Sequence, residues 1–157
     1  MCEYCGCQSL AAIDELTREH ETVVNLIGEV HDARRDGDLT RMVERARDIA
    51  AVLAPHTAVE EGALFPAMAE EFPGQIAVLE AEHRRIESVL EEAAEEVPAD
   101  PGWPDRLTEV LALLREHILK EQDGVFPAAL AVLDTEQWEM VDAVRLRVGG
   151  LTQAPKR

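Results

Sequence analysis

Aromatic residues are scarce in this 157-residue chain, which has one Tyr, three Phe and two Trp. Ala, Leu, Val, Glu and Arg dominate instead. This is the composition of packed helices and not of sheets, whose strands are enriched in aromatic and β-branched residues. A chain of this length with 46% hydrophobic residues can bury a core without disulfides. The sequence therefore predicts one compact all-α domain.

Basic residues are also few, since 15 Lys and Arg stand against 32 Asp and Glu, for a formal net charge of −17. Such a charge repels phosphate backbones and anionic lipid headgroups alike. We therefore expect no nucleic-acid partner and no membrane partner. The acidity is typical of a solvated outer helix face, and it does not discourage the binding of metal cations.

No apolar run approaches the ~20 residues that span a bilayer, and the N-terminus lacks a basic region followed by an apolar stretch. We therefore expect a cytoplasmic protein. Cysteine is absent after position 7, so Cys2, Cys5 and Cys7 cannot provide a structural disulfide framework. Two interpretations of these thiols stay open, namely a partial soft-metal or redox site and an accessory segment without chemistry.

Apolar residues recur every three or four positions, which is typical of amphipathic helices. We expect the first helix to run from Ser9, as its N-cap, to about Asp36, because Gly37 is placed to end it. The second helix begins near residue 39 or 40. Breaks containing Pro and Gly at 71–74 and 98–104 precede the third and fourth helices.

A last, shorter helix includes Trp138, and the chain then ends in a polar segment. The sequence thus predicts three parts: a cysteine-rich N-terminal tail at 1–8, a helical domain at 9–148 and a flexible C-terminal tail at 149–157.

An internal repeat relates the two halves of the helical domain. Segment 56–66 reads HTAVEEGALFP and segment 117–127 reads HILKEQDGVFP, at starting positions that differ by 61 (117 − 56). The pair Glu19-His20 is likewise echoed by Glu82-His83, which lies 63 positions later (83 − 20). The repeat predicts two helical hairpins that pair into an antiparallel, up-down four-helix bundle.

Each of the four helices carries one His on its apolar stripe, and two of them add a Glu one helical turn later. Residues at i and i+4 lie on one face about 6 Å apart, so each His–Glu pair can hold a cation from two sides. Buried carboxylates without partners cost several kcal/mol each, and cations would offset that cost. The six candidate ligands are His20, His56, Glu60, His83, His117 and Glu121.

Imidazole and carboxylate ligands suit iron, manganese or zinc, and six or seven of them exceed the needs of one tetrahedral ion. Two bridged ions fit this count better. Glu87, beside the apolar stripe of the third helix, is the seventh candidate and is either a ligand or a solvated charge. Glu61 either supports a ligand or lies on the surface, and we do not expect His31 to bind the metal.

These residues resemble the hemerythrin-like (HHE cation-binding) family of bacterial type. The signature is a lone His on the first helix, His-x-x-x-Glu on the second, a His on the third and a His with a downstream acid on the fourth. The resemblance implies a hemerythrin-like bundle in which His20, His56, His83 and His117 are terminal iron ligands. It also implies that Glu60 and Glu121 bridge two iron ions alongside an oxo or hydroxo group.

The sequence departs from the oxygen-carrying hemerythrins, which have a second His on the third helix and an Asp five residues after the fourth-helix His. Glu87 and Gln122 occupy those positions here. The negative charge of Glu87 favours ferric iron, so we expect reaction with oxygen, peroxide or NO in redox sensing or detoxification, and not reversible oxygen carriage.

Whether such a reaction is catalytic stays open, as does the choice between a monomer and a homodimer. The alternative function is a non-catalytic module for iron or redox sensing or for iron handling. A ferritin-like carboxylate site is disfavoured, because only Glu80-Ala81-Glu82-His83 fits the Glu-x-x-His motif that such sites use twice.

Overall fold

The computed structural model describes residues 6–150, and this part of the chain is helical without a β-strand. The α-helices are α1 (Cys7–Arg35), α2 (Leu39–Val59), α3 (Phe65–Ala69), α4 (Pro73–Glu91), α5 (Trp103–Lys120), α6 (Phe126–Val132) and α7 (Thr135–Val148). A π-helical turn at Glu60–Leu64 joins α2 to α3, and another at Glu121–Val125 joins α5 to α6.

Four long helical rods therefore form the bundle: α1, α2 continued by α3, α4, and α5 continued by α6. The first two rods pack together as one hairpin and the last two as another, and α7 adds a shorter fifth rod. The predicted all-α bundle with an extra C-terminal helix is confirmed. Within residues 6–150, no helix combines the length and apolarity needed to cross a bilayer.

Helix α1 begins at Cys7, two residues before the predicted start near Ser9, and the prediction of Ser9 as its N-cap is wrong. Gly6, with a φ of 75°, precedes α1 in the left-handed conformation that glycine adopts without strain. Ser9 lies inside the first turn, where its hydroxyl donates to the Gly6 carbonyl at 2.8 Å, so it is not an N-cap. Cys7 consequently belongs to α1, whereas Cys2 and Cys5 lie outside the described residues.

The other helix ends lie close to their predicted positions. Asp38 caps α2 by accepting a hydrogen bond from the Arg41 backbone N–H at 3.0 Å. Gly37, with a φ of 67°, follows the end of α1. Helix α7 ends at Val148, where the predicted C-terminal tail begins, and residues 151–157 of that tail lie outside the described part of the chain.

The two π-helical turns have a common cause in the prolines that follow them. Pro66 has no N–H to offer a carbonyl four residues earlier, and its ring would clash with that carbonyl in a regular α-helix. The wider turn avoids this conflict: the Phe65 N–H donates to the Glu60 carbonyl, five residues back. Phe126 and Glu121 repeat the arrangement before Pro127. Each turn thus begins at a candidate ligand, and such turns are frequent at functional sites.

The apolar core consists of two clusters with a polar layer between them. One cluster joins the second half of α1 to the first half of α2 and includes Ile49, Leu111 and the fully buried Trp103. The other lies toward the start of α1 and includes Phe65 and Trp138. Because apolar side chains close off both sides, polar groups in the layer between them are removed from bulk water.

Helix α7 packs on the first hairpin, against α1, α2 and the π-helical turn that follows α2. Its buried face includes Trp138 and Val144. Gly62 faces this helix, and a Cβ there would lie 3.4 Å from a methyl carbon of Val144. At its start, the Asp134 side chain accepts from the Gln137 N–H, and the Gln137 side chain accepts from the Asp134 N–H.

We predict that Asp134→Ala lowers the free energy of unfolding by about 1 kcal/mol, because an N-terminal N–H group of α7 loses its acceptor. Urea denaturation of the metal-free protein, followed by circular dichroism, measures this change. Glu139→Ala is the matched control, since Glu139 is exposed in the middle of the same helix. Equal losses in the two variants would contradict the capping role.

Candidate metal centre

The polar layer is built from the six residues that the sequence singles out as candidate ligands. None is more than 5% exposed, although all can carry charge. Helices α1, α2, α4 and α5 each contribute one imidazole, and each π-helical turn contributes a carboxylate at its first position. These residues are His20, His56, His83, His117, Glu60 and Glu121.

The six residues form two groups of four that share both carboxylates. The first group joins His20 and His56 to the two glutamates, and the second joins His83 and His117 to the same two. Within each group, the atoms that could bind an ion lie within 4.8 Å of one another. The geometry therefore suits two neighbouring cation positions connected by two carboxylates.

Each shared carboxylate directs one oxygen toward each group. Glu121 lies 2.8 Å from the Nε2 atom of His20 through Oε1 and 2.9 Å from that of His117 through Oε2. The corresponding distances for Glu60 are 3.1 Å to His56 and 3.2 Å to His83, again through different oxygens. All four Nε2 atoms thus face the centre of the layer, as ligands of two bridged ions would.

The Glu60 carboxylate is the least satisfied group in this layer. It is fully buried, and neither of its oxygens has a hydrogen-bond partner among the described residues. A buried carboxylate without compensation costs several kcal/mol. A cation between the Nε2 atoms and Glu60 would remove this penalty, so the residues present fit a metal centre.

Outside the layer, each imidazole donates through Nδ1 to a side-chain oxygen, which fixes the ring and leaves Nε2 directed inward. The distances are 2.9 Å for His20 to Gln122, 2.9 Å for His56 to Glu19, 2.6 Å for His83 to Glu61 and 2.8 Å for His117 to Glu82.

Among these outer partners, a supporting role is predicted from the sequence only for Glu61, as one of its two alternatives. The sequence does contain a signal for the other three. Each is next in sequence to a candidate ligand, although it supports a different histidine. Glu19 precedes His20, Glu82 precedes His83 and Gln122 follows Glu121.

Three cations hold the outer carboxylates. Arg145 of α7 donates through both terminal nitrogens to the two oxygens of Glu19, at 2.9 Å each. Lys120 lies 2.6 Å from Glu82. Arg84 lies 2.6 Å from Glu61. No sequence pattern indicates that α7 supports the site.

The imidazoles and carboxylates of the layer shift one another's pKa values. Burial would lower the pKa of His83, but the carboxylates of Glu60 and Glu61 raise it to about 9. Burial is likewise outweighed at His56, whose pKa is raised well above its usual value by Glu60 and its other carboxylate neighbours. Burial would raise the pKa of Glu121, but adjacent imidazoles hold it well below its usual range. An incoming cation therefore displaces protons.

Glu87 is the one candidate ligand that the structure does not bring into either group. Its side chain is 43% exposed, and its Oε1 atom lies 3.0 Å from Nε of Arg84. It does line a small cavity beside the four imidazoles, which has room for about one water-sized molecule. Coordination by Glu87 stays a prediction. His31 is exposed on α1.

We predict that the metal-free protein loses stability as the pH rises. The pKa of His83 is about 9 in the folded chain against about 6.5 when unfolded. The stabilisation is thus complete below about pH 6.5 and is lost as the pH passes through 9, by an amount on the order of 2 kcal/mol. Urea denaturation with a chelator at pH 6 and pH 10 measures it. An unchanged pH dependence in His83→Gln would contradict this assignment.

Comparison with known proteins agrees with this geometry. The family model described as the hemerythrin HHE cation binding domain matches residues 11–129, which include all six residues of the layer and end before α7. The comparisons with curated proteins and with solved structures return no match. Since the family match covers more than half of the chain, the protein belongs to the hemerythrin HHE cation-binding domain family.

Proposed function

We propose that this protein is a non-haem di-iron protein that binds or reacts with oxygen, peroxide or NO in redox sensing or detoxification. The observation that carries the proposal is the pair of four-residue groups sharing Glu60 and Glu121. Family membership supports cation binding, and two groups with common carboxylates support two ions held side by side. An oxo or hydroxo group between them would complete the centre that the family resemblance implies.

The donor set favours iron on chemical grounds. Each position offers two imidazoles and two shared carboxylates, a mixture that suits a metal alternating between the ferrous and ferric states. Two His and two shared Glu would close a tetrahedral zinc site, whereas on a six-coordinate ion the same four ligands leave two positions open. When bound, the iron supplies electrons and open positions for a small molecule, which is the chemistry that the protein side chains cannot provide.

The chain's own residues orient the ligands and exclude water. The Nδ1 hydrogen bonds fix each imidazole, and the Phe rings that follow the π-helical turns cover two of them. Phe126 stacks on His20 with 5.4 Å between ring centroids, and Phe65 stacks on His83 at 5.6 Å. Both contacts come from the same position of the repeat, so each hairpin covers an imidazole of the other.

The cavity beside the imidazoles limits what can reach them. Leu53, Ile86, Leu114 and Ile118 contribute apolar walls, and Thr57 and Glu87 also line the cavity. Because the space holds about one water-sized molecule, the ligand class is small molecules such as oxygen, peroxide or NO. Larger organic substrates do not fit without movement of these walls.

A non-catalytic iron- or redox-sensing module is the second candidate. The buried Glu60 carboxylate favours it, since without a cation its charge is met only by the imidazoles of His56 and His83, which links metal occupancy to stability. Turnover of peroxide by the iron-loaded protein separates the candidates, because a sensor needs none. In either case we propose a cytoplasmic protein, monomeric or homodimeric, without a nucleic-acid partner, in keeping with its charge of −17.

We predict that the chain binds two iron ions, because the layer offers two groups of ligands. His56→Ala or Glu121→Ala should remove most of the iron, whereas His31→Ala should retain it. Metal analysis of anaerobically loaded protein, together with its visible spectrum, provides the measurement. A firm stoichiometry of one ion, or equal losses in all three variants, would overturn the assignment.

We also predict that the protein is a poor reversible oxygen carrier. Glu87 lines the small cavity, and coordination by its carboxylate would stabilise ferric iron and lower its reduction potential. Ferrous protein mixed with oxygen in a stopped-flow spectrometer should therefore oxidise, and Glu87→His should slow the oxidation. Recovery of the ferrous spectrum over many cycles of oxygen addition and removal would contradict this prediction.

A further inference from the structure

The repeat makes the surroundings of the two cation positions nearly equivalent. In each hairpin, a glutamate directly precedes the histidine of the first helix and accepts a hydrogen bond from Nδ1 of the histidine on the second helix. Glu19 accepts from His56 at 2.9 Å, and Glu82 accepts from His117 at 2.8 Å. A cation holds each carboxylate in place, Arg145 in one case and Lys120 in the other. Each position therefore has one imidazole backed by an ion-paired carboxylate.

The two positions differ in the side chain that accepts from Nδ1 of their second imidazole. Glu61 follows Glu60 and accepts from Nδ1 of His83 at 2.6 Å. Gln122, at the corresponding place 61 residues later (122 − 61), accepts from Nδ1 of His20 at 2.9 Å. Among the four Nδ1 partners in the described chain, Gln122 alone is uncharged. The position with His83 and His117 thus has two carboxylate-backed imidazoles, and that with His20 and His56 has one.

An anionic acceptor on Nδ1 makes an imidazole a stronger donor to a metal than a neutral amide does. It draws the Nδ1 proton toward itself and raises the electron density at Nε2, and losing such a partner typically costs 10- to 100-fold in metal affinity. Arg84 pairs with Glu61 but is 59% exposed, so water screens much of its charge. The Glu61 carboxylate therefore remains the more effective partner.

We propose that the two cation positions are filled in a fixed order, with the position of His83 and His117 first, and that Glu61 and Gln122 set this order. The proposal rests on the proposed two-metal function and adds to it a difference between the two ions. Glu61 and Gln122 act through the imidazoles and are positioning residues.

The test uses Zn²⁺, which has no redox chemistry, added to the metal-free full-length chain. Calorimetry gives the two binding steps, and NMR of the histidine ring protons shows which imidazoles respond to the first equivalent. We expect the signals of His83 and His117 to change first. Repulsion between neighbouring cations separates the two binding steps even if the positions are equivalent. The test is therefore decided by which position fills first and by how substitution changes that order.

Single substitutions should change the two steps in opposite ways. Gln122→Glu should strengthen the weaker step about 10-fold and leave the stronger one nearly unchanged. Glu61→Gln should weaken the stronger step by 10- to 100-fold. The double variant exchanges the two side chains. It should still show two steps, but the first ion should bind at His20 and His56. Glu139→Gln, at an exposed position of α7, is the control for the change in net charge.

Several outcomes would overturn the proposal. They are a first equivalent that shifts the ring signals of all four histidines together, a first equivalent that stays at His83 and His117 in the double variant, and single variants that match the control. In each case the total still reaches two ions, so the di-metal site survives. A total below two ions in the unsubstituted chain would instead count against the proposed function itself.

Discussion

Burial of two carboxylates in the middle of a helical bundle is the constraint on which the rest of this structure depends. Glu60 and Glu121 have no exposed surface, and apolar clusters close both sides of their layer. Positive charge must therefore come from within, either from protonated imidazoles or from metal ions. The four inward-facing histidines, their outer hydrogen bonds and the prolines that shape the π-helical turns all serve that requirement.

The ligand layer could be predicted from sequence because helical periodicity fixes which residues share a face. His56 and Glu60 are one turn apart, and the repeat duplicates them at His117 and Glu121. Contacts between distant segments follow no such local rule. Arg145 and Glu19 are 126 positions apart, and their contact depends on how α7 packs on the first hairpin. Ser9 was mistaken for a cap because local composition does not reveal that Gly6 takes the left-handed conformation.

The internal repeat builds the proposed two-ion site from two similar hairpins. Each hairpin supplies half of the candidate ligands, and two of the four Nδ1 hydrogen bonds cross from one hairpin to the other. Gln122 on the second hairpin supports His20 of the first, and Glu61 on the first supports His83 of the second. The halves therefore depend on each other for ligand orientation, and the charge difference between Glu61 and Gln122 is the feature that we propose distinguishes the two positions.

Helix α7 lies beyond the family match at residues 11–129, yet its Arg145 holds a carboxylate that is 1% exposed. A fragment cut at the end of the match would keep all six ligands but lose this guanidinium. Glu19 would then lose both hydrogen bonds from Arg145 and the cover of α7, and it would keep its hydrogen bond with His56. The smallest unit that keeps the six candidate ligands together with their supporting contacts is thus longer than the matched region, and it includes α7.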